Sequence, residues 1–593
     1  MFGIRRQVFA RADLTLTFFA LACWMVVAGL RLPAPRAERS VDGAEELLPI
    51  GETDAERAFS ALHPQIMRVN DPPPFGPIRN IAEYEPCTGV LIRYPLGLDY
   101  AVINEMAEDV DVTIHVIVSS SYYSEAVTNF LANSIDTSRC DFIVEPSNSI
   151  WTRDYGPWFV FDGHGDQVII DHYYNRPRPD DDVIPIALGR RWGIPVVTHN
   201  LWHAGGNYMT EGDGQSFSSD MVWNENWNMT PQEIAQFFLD YYGVEVFNVI
   251  PDISEEGIHH IDTWGKLLNE ETVLLKQVDP SHPDYARIEA NAAMIAGLVN
   301  QYGRNFRVVR VFCPPIPSGN VAPYTNSFIL NNKVLVPLCG QGLRDTAALQ
   351  VYRANMPGYE VVGITGGWLS DDALHCRVIG IYDRYMLCVD HDPVQSAGPG
   401  LPIPVTMYAD DRSETGVDIS ATQIYWRVAG APVFTAAPVV QSGEKDWFRG
   451  QIPWQMPGTK IQYYVTARDR TGRVSSRPRP APLAWYNVNI DATTDIRPPD
   501  AVSKLTLAVA PSPFQDRSVV RFDLATAAPA RVAVYDVRGR EVARLVDRIL
   551  VAGSHEVEWM GRATNGAQAP SGVYFVVLQS AGERITRRVV LLR

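Results

Sequence analysis

Cysteine is scarce in this chain: seven in 593 residues, at Cys23, Cys87, Cys140, Cys313, Cys339, Cys376 and Cys388. The spacing is irregular, which excludes a cysteine-dense scaffold, although the six after Cys23 permit bridges. No Cys-x-x-Cys pair occurs and no histidine cluster has zinc-ligand spacing, so neither a metal nor a cofactor is expected. Basic charge is also in deficit, with 51 Lys+Arg against 68 Asp+Glu and a formal charge of −17. A phosphate backbone needs basic clusters, so nucleic acid is excluded as a partner. The acidity suits a cationic substrate and equally a surface kept soluble by charge. Gly205-Gly206-Asn207 lacks a lysine and the Walker spacing, and reads as a tight backbone turn rather than a phosphate cradle. Long apolar runs are absent after residue 30, so the remainder is expected to be soluble.

What is present divides the chain. At about 150 residues per domain the length predicts roughly three or four domains. With 46% hydrophobic and 20% charged residues, a large core is expected and global disorder is not. Arg5, Arg6 and Arg11 precede an apolar run over 14–30 and the segment Leu32-Pro33-Ala34-Pro35. That order predicts a signal peptide or an N-terminal anchor over 1–37, and so a secreted or cell-surface protein. Residues 38–75 are polar, end in Asp71-Pro72-Pro73-Pro74, and read as a linker or short pro-segment.

From 76 to 395 helix and strand patterns alternate, with five helix-then-strand units at 100–118, 183–198, 230–250, 287–312 and 346–364. The third opens with the capping box Thr230-Pro231-Gln232-Glu233. Strands that recur at such intervals suggest an internal repeat, and repeats around an axis would bring distant segments to one cavity. After 396 the pattern changes to period two. A first β unit is expected over 401–491, immunoglobulin- or fibronectin-like, and a second over 501–593.

Four segments of the alternating region carry chemistry. They are Trp151-Thr152-Arg153-Asp154-Tyr155-Gly156-Pro157-Trp158, His259-His260-Ile261-Asp262, Tyr324-Thr325-Asn326-Ser327, and Leu374-His375-Cys376-Arg377. One thiol, one imidazole and two carboxylates are the parts needed to attack a cationic guanidinium carbon. His260 and Asp262, two apart, face one side of an extended segment. His375, next to Cys376, would point away from it in a strand, which makes His260 the acid/base candidate.

Together these segments resemble bacterial-type peptidylarginine deiminases and the related agmatine deiminases of the guanidino-modifying (pentein) superfamily. The resemblance covers about 75–395. It implies an α/β five-bladed propeller, here followed by two all-β sandwich-like domains. It also implies hydrolysis of a guanidinium to a ureido group and ammonia through a thiouronium adduct. By motif, Asp154 and Asp262 would grip the guanidinium, His260 would move protons and Cys376 would attack. Asn326 would line the site and Trp151 would pack beside the substrate stem. In Tyr173-Tyr174-Asn175-Arg176-Pro177-Arg178, Arg176 and Arg178 match arginines that bind a substrate carboxylate in that family. The alternative for them is a solvated basic pair balanced by Asp180, Asp181 and Asp182.

The region after 501 resembles type IX or FlgD-like sorting domains at Ala510-Pro511-Ser512-Pro513-Phe514, Val534-Tyr535-Asp536-Val537-Arg538-Gly539 and Pro570-Ser571-Gly572-Val573-Tyr574. The expected partners are therefore arginine-containing peptides or proteins and, through that unit, export machinery. The expected reaction is citrulline formation on arginine, favouring C-terminal arginine. An agmatine or small-guanidine deiminase, or an inactive surface binding protein, are the alternatives.

Overall fold

The computed structural model describes residues 38–593 except 42–45, 63–68, 255–256, 367, 369, 371, 443–444, 492–504, 516, 525–527, 537–539, 551–552, 565–566 and 581–582. The signal or anchor expected over 1–37 lies outside the described residues. No helix among those described is long and apolar enough to cross a membrane. None of the six described cysteines is in a disulfide.

The five expected units are all formed. Their helices are Tyr100–Ala107, Ile184–Trp192, Pro231–Tyr242, Tyr285–Gly297 and Leu343–Asn355. Each is followed by a strand: Thr113–Val118, Val196–His203, Val246–Ile250, Arg307–Phe312 and Glu360–Thr365. The Thr230 capping box closes as expected, with Glu233 bonded back to the Thr230 backbone.

Each of those strands pairs in parallel with the strand before its helix: Cys87–Tyr94, Gln167–Tyr174, Gln215–Ser219, Thr272–Gln277 and Lys333–Leu338. Two of the sheets add a fourth strand, Cys140–Val144 in one and Arg79–Asn80 in the other, and all five have antiparallel third strands. These are Ile379–Tyr382, Trp158–Phe161, Met209–Thr210, Gly265–Asn269 and Phe328–Leu330. The same order thus occurs five times. In every case a short turn enters the antiparallel strand, and these turns are where the motifs sit. Helical turns at Thr152–Tyr155, Gly205–Asn207, Ile261–Thr263 and His375–Arg377 account for four of them, and 324–327 is the fifth. One structural position repeated five times gathers residues over 200 apart in sequence. The parallel pairs are buried on both faces, so their strands read as near-continuous apolar runs, as in Val90, Leu91 and Ile92.

Two expectations change. The stretch 38–75 is not a spacer. It holds a two-strand ladder, Glu38–Arg39 with Glu46–Leu47, and the helix Asp54–Leu62. Leu47 and Ile50 are buried, and that burial gives the segment a fixed place. The alternating region also ends before 395. Leu387–Asp390 and Ser396–Ala397 belong to the sheet of the following β unit. In that sheet Thr435–Gln441 pairs with Gln423–Val428 through its first half and with Trp447–Ile452 through its second. A strand that changes partners in this way carries the sheet around its own core of Ile403, Met407, Phe448, Ile461 and Val465. The last unit is two sheets around Val520, Phe522, Trp559, Tyr574 and Val576.

Buried ion pairs tie the first β unit to the alternating region. Arg477 Nε lies 3.2 Å from Glu270, and Arg479 Nη2 lies 3.1 Å from Glu85. The last unit reaches the same region through a half-exposed pair, Arg588 with Glu245 at 3.0 Å. A surface pair contributes about 0–1 kcal/mol, whereas stripping a buried charge of its partner costs about 3–5 kcal/mol. A chain ending at 491 is therefore expected to keep its melting temperature. One ending at 395 is expected to melt several degrees lower or to aggregate. Thermal melting of both truncations checks this, and equal melting of the two would refute it.

Candidate active site

Six of the predicted residues meet in the interior. Cys376, His260 and Asn326 are 0% exposed, and Asp154, Asp262 and Trp151 are 1% exposed. Asn326 holds the turn that carries Cys376 in place. Its Oδ1 accepts from the backbone N–H groups of Ala373 (3.0 Å), His375 (2.9 Å) and Cys376 (3.4 Å). Its Nδ2 donates to Cys376 Sγ at 3.2 Å. The thiol in turn donates to Asp262 Oδ2 at 3.4 Å.

The two carboxylates and His260 converge on Gly206. His260 Nδ1 is 3.5 Å from Asp154 Oδ1, and Gly206 N–H donates to that same oxygen at 3.1 Å. A Cβ placed on Gly206 would lie 2.7 Å from Asp154 Oδ1, 2.7 Å from His260 Nδ1 and 3.2 Å from Asp262 Oδ2. Asp154 Oδ2, Asp262 Oδ1 and both ring nitrogens of His260 are buried without a hydrogen-bond partner among the described residues. Buried acceptors left without donors are costly, and a ligand rich in N–H groups would satisfy them.

Electrostatics point the same way. Burial, with the charge of Asp262, pushes the Asp154 carboxyl up to about 7. Burial also pushes His260 down to about 3, which Asp262 only partly opposes, so the imidazole is neutral. The Cys376 thiol is driven well up, by burial first and then by the charges of Asp262 and Asp154. Burial would raise Asp262 too, but the hydrogen bond from His375 brings it below the usual carboxylate range.

His375 is therefore not turned away from the site, as a strand would have required. It lies in a helical turn, and its Nδ1 is 2.7 Å from Asp262 Oδ2. Its Nε2 bonds to Glu83, a residue that sequence reasoning missed. The same carboxylate pairs with Lys266 and, at 3.3 Å, with Arg153. Burial alone would raise Glu83, but His375, Lys266 and Arg153 hold it well below the ordinary range. Nothing in Ala82-Glu83-Tyr84-Glu85 separates this carboxylate from a surface one.

Arg176 and Arg178 are buried, not solvated. The acids expected to balance them are engaged elsewhere: Asp181 accepts from Ser149 Oγ at 2.7 Å and Asp182 from the Tyr174 N–H at 2.9 Å. Arg178 Nε donates instead to Glu56 Oε1 at 2.9 Å, and its Nη2 donates to Pro49 O at 2.7 Å and Gly51 O at 3.0 Å. Arg176 Nε donates to Ile50 O at 3.1 Å. Trp151 Nε1 donates to Leu48 O at 2.9 Å, and the Arg377 guanidinium lies 5.2 Å from its ring. Trp151 packs with Cys376, Leu47, Ile50 and Ile150.

Residues 79–377 match the profile of the Porphyromonas-type peptidyl-arginine deiminase family, and 511–583 match that of the FlgD Ig-like domain. An agmatine deiminase of Pseudomonas savastanoi pv. phaseolicola is 24% identical, over 44% of this chain and 81% of its own. One of Medicago truncatula is 22% identical, over 52% of this chain and 98% of its own. The solved agmatine deiminase of Enterococcus faecalis is 20% identical with a TM-score of 0.46, covering 52% of this chain and 96% of its own. The first of these matches takes in half of the chain and all four motif segments, and the chain belongs to the Porphyromonas-type peptidyl-arginine deiminase family.

Proposed function

We propose that this protein hydrolyses the guanidinium group of arginine in peptides or proteins, giving citrulline and ammonia. The observation that carries this reading is the meeting of Asp154, Asp262 and His260 around Gly206, beside the Cys376 thiol. A guanidinium offers N–H donors and one positive charge to two carboxylates that have unsatisfied oxygens. Its charge would offset what raises the thiol, so that Cys376 ionises when substrate arrives.

The thiolate attacks the guanidinium carbon to give a tetrahedral adduct. His260, having taken the proton that Cys376 gives up on ionising, passes it to the departing nitrogen; ammonia leaves, and a thiouronium remains on Cys376. His260 then takes a proton from water, which attacks the same carbon, and the C–S bond breaks to release the ureido product. His260 suits this part because both its ring nitrogens lack partners, whereas those of His375 are bonded to Asp262 and Glu83. His375 positions Asp262. The five sheets fit five blades closed into a ring. The pairing of Ile379–Tyr382 with Cys87–Tyr94 supports this, since it places the start and end of the region in one sheet. The residues before 38 support export, with the unit after 501 as its sorting signal.

Preference for a C-terminal arginine rests on Arg176 and Arg178. Losing one hydrogen bond to a charged group costs about 1.5–3 kcal/mol, roughly ten- to a hundredfold. Arg176→Ala or Arg178→Ala is expected to lower kcat/KM for peptides ending in free arginine by that factor. The same change should scarcely alter agmatine turnover. Citrulline or carbamoylputrescine release from peptide acid, peptide amide and agmatine checks it. Equal wild-type rates on acid and amide would favour internal arginine or a small amine.

A further inference from the structure

The segment that covers the site is bound as a peptide would be. Four consecutive carbonyl oxygens, Leu48 to Gly51, accept from Trp151, Arg176 and Arg178. These bonds are to backbone and need no particular side chain. Leu47 and Ile50 lie against Trp151 and Cys376. A carboxylate follows: Glu56, bonded to Arg178 Nε at 2.9 Å and Nη2 at 3.3 Å. Its burial would raise it, but the Arg178 guanidinium and Thr53 hold it low, so it is an anion.

The helix Asp54–Leu62 buries none of its residues, and Phe59 and Leu62 are exposed. The Cys376 thiol beneath is fully covered. A cleft lined by an indole and two buried guanidiniums is thus engaged by backbone, apolar side chains and one carboxylate, all from one short stretch.

We propose that the cleft formed by Trp151, Arg176 and Arg178 is a peptide-binding cleft occupied by residues 47–56 of the chain itself, with Glu56 at the substrate carboxylate's place, and that a peptide ending in a free carboxylate displaces this internal ligand to reach Cys376. The inference rests on the deiminase reading for what happens next, but the occupancy stands apart from it. Glu56 then sets specificity. A substrate with a carboxylate competes for Arg178, and one without it must displace the segment through the carbonyl contacts alone.

The test uses the full chain and two readouts. The first is alkylation of Cys376 by iodoacetamide at pH 8, mapped by peptide mass spectrometry. Glu56→Gln, and separately Leu47→Asp with Ile50→Asp, are expected to speed it by about tenfold or more over wild type. The second is hydrogen exchange of the 47–62 amides. A saturating peptide that ends in free arginine should increase exchange there, and the matching peptide amide should do so less. Faster alkylation with no citrulline formed would uphold the occupancy and refute the deiminase reading. Citrulline formed with exchange over 47–62 unchanged, or alkylation no faster in either variant, would overturn the proposal.

Discussion

Cys376→Ala is expected to lower citrulline formation by at least about 10⁴-fold, because no other group near the guanidinium site can form the covalent adduct. The same residue makes a sharper prediction about pH. In the substrate-free protein its thiol is held well above the ordinary range by burial and by Asp262 and Asp154. Only the thiolate reacts, so alkylation of Cys376 by neutral iodoacetamide should climb roughly tenfold per pH unit from 7 to 9 without levelling. A cationic reagent such as chloroacetamidine should react much faster at pH 7, since its charge sits between the two carboxylates. Asp154 adds a second dependence. Its carboxyl is pushed up to about 7, so below that pH it is protonated and holds the cation less well. Turnover at low substrate should therefore rise from pH 5 to 8. A plateau in iodoacetamide reactivity below pH 8 would mean a pre-formed thiolate. That would remove the argument that substrate charge drives the ionisation.

Much of this site was legible in the sequence because its motifs sit in turns with distinctive composition. The helix-then-strand units were visible from alternating pattern, most clearly where an amphipathic helix precedes a mainly apolar strand, as in 230–250. The antiparallel third strands were not. Met209–Thr210 is two residues long and Phe328–Leu330 three, too short for any periodicity. The segment 47–56 was misread for a related reason. Pro49, Gly51, Glu52 and Asp54 have the composition of a linker, and what fixes the segment is mostly backbone carbonyls, which leave no mark on sequence. His375 was misplaced because the turn His375–Arg377 was read as strand, and the face a residue presents depends on that distinction. Glu83 lies nearly 300 residues before His375, and no local pattern links them.

Gly206 was read as a residue of a tight turn, which it is, but its missing side chain is the more consequential property. Its φ lies outside the left-handed region, so alanine there meets no backbone penalty. What alanine does meet is the site itself, with a methyl 2.7 Å from both Asp154 Oδ1 and His260 Nδ1. Those two side chains would have to move apart by several tenths of an ångström, and the methyl would stand where the guanidinium is proposed to bind. Misplacing reacting groups by about 1 Å costs about 10²-fold, and steric exclusion adds to it. Gly206→Ala is therefore expected to lower kcat/KM by about 10²–10³-fold, with an overpacking cost of about 1–3 kcal/mol in stability. Gly297→Ala is the control, since a Cβ there meets nothing within 4 Å and the residue ends a helix. It should leave both turnover and melting temperature nearly unchanged. A Gly206→Ala protein that melts within a few degrees of wild type yet keeps more than about a third of its activity would show that the guanidinium does not sit among Asp154, His260 and Asp262.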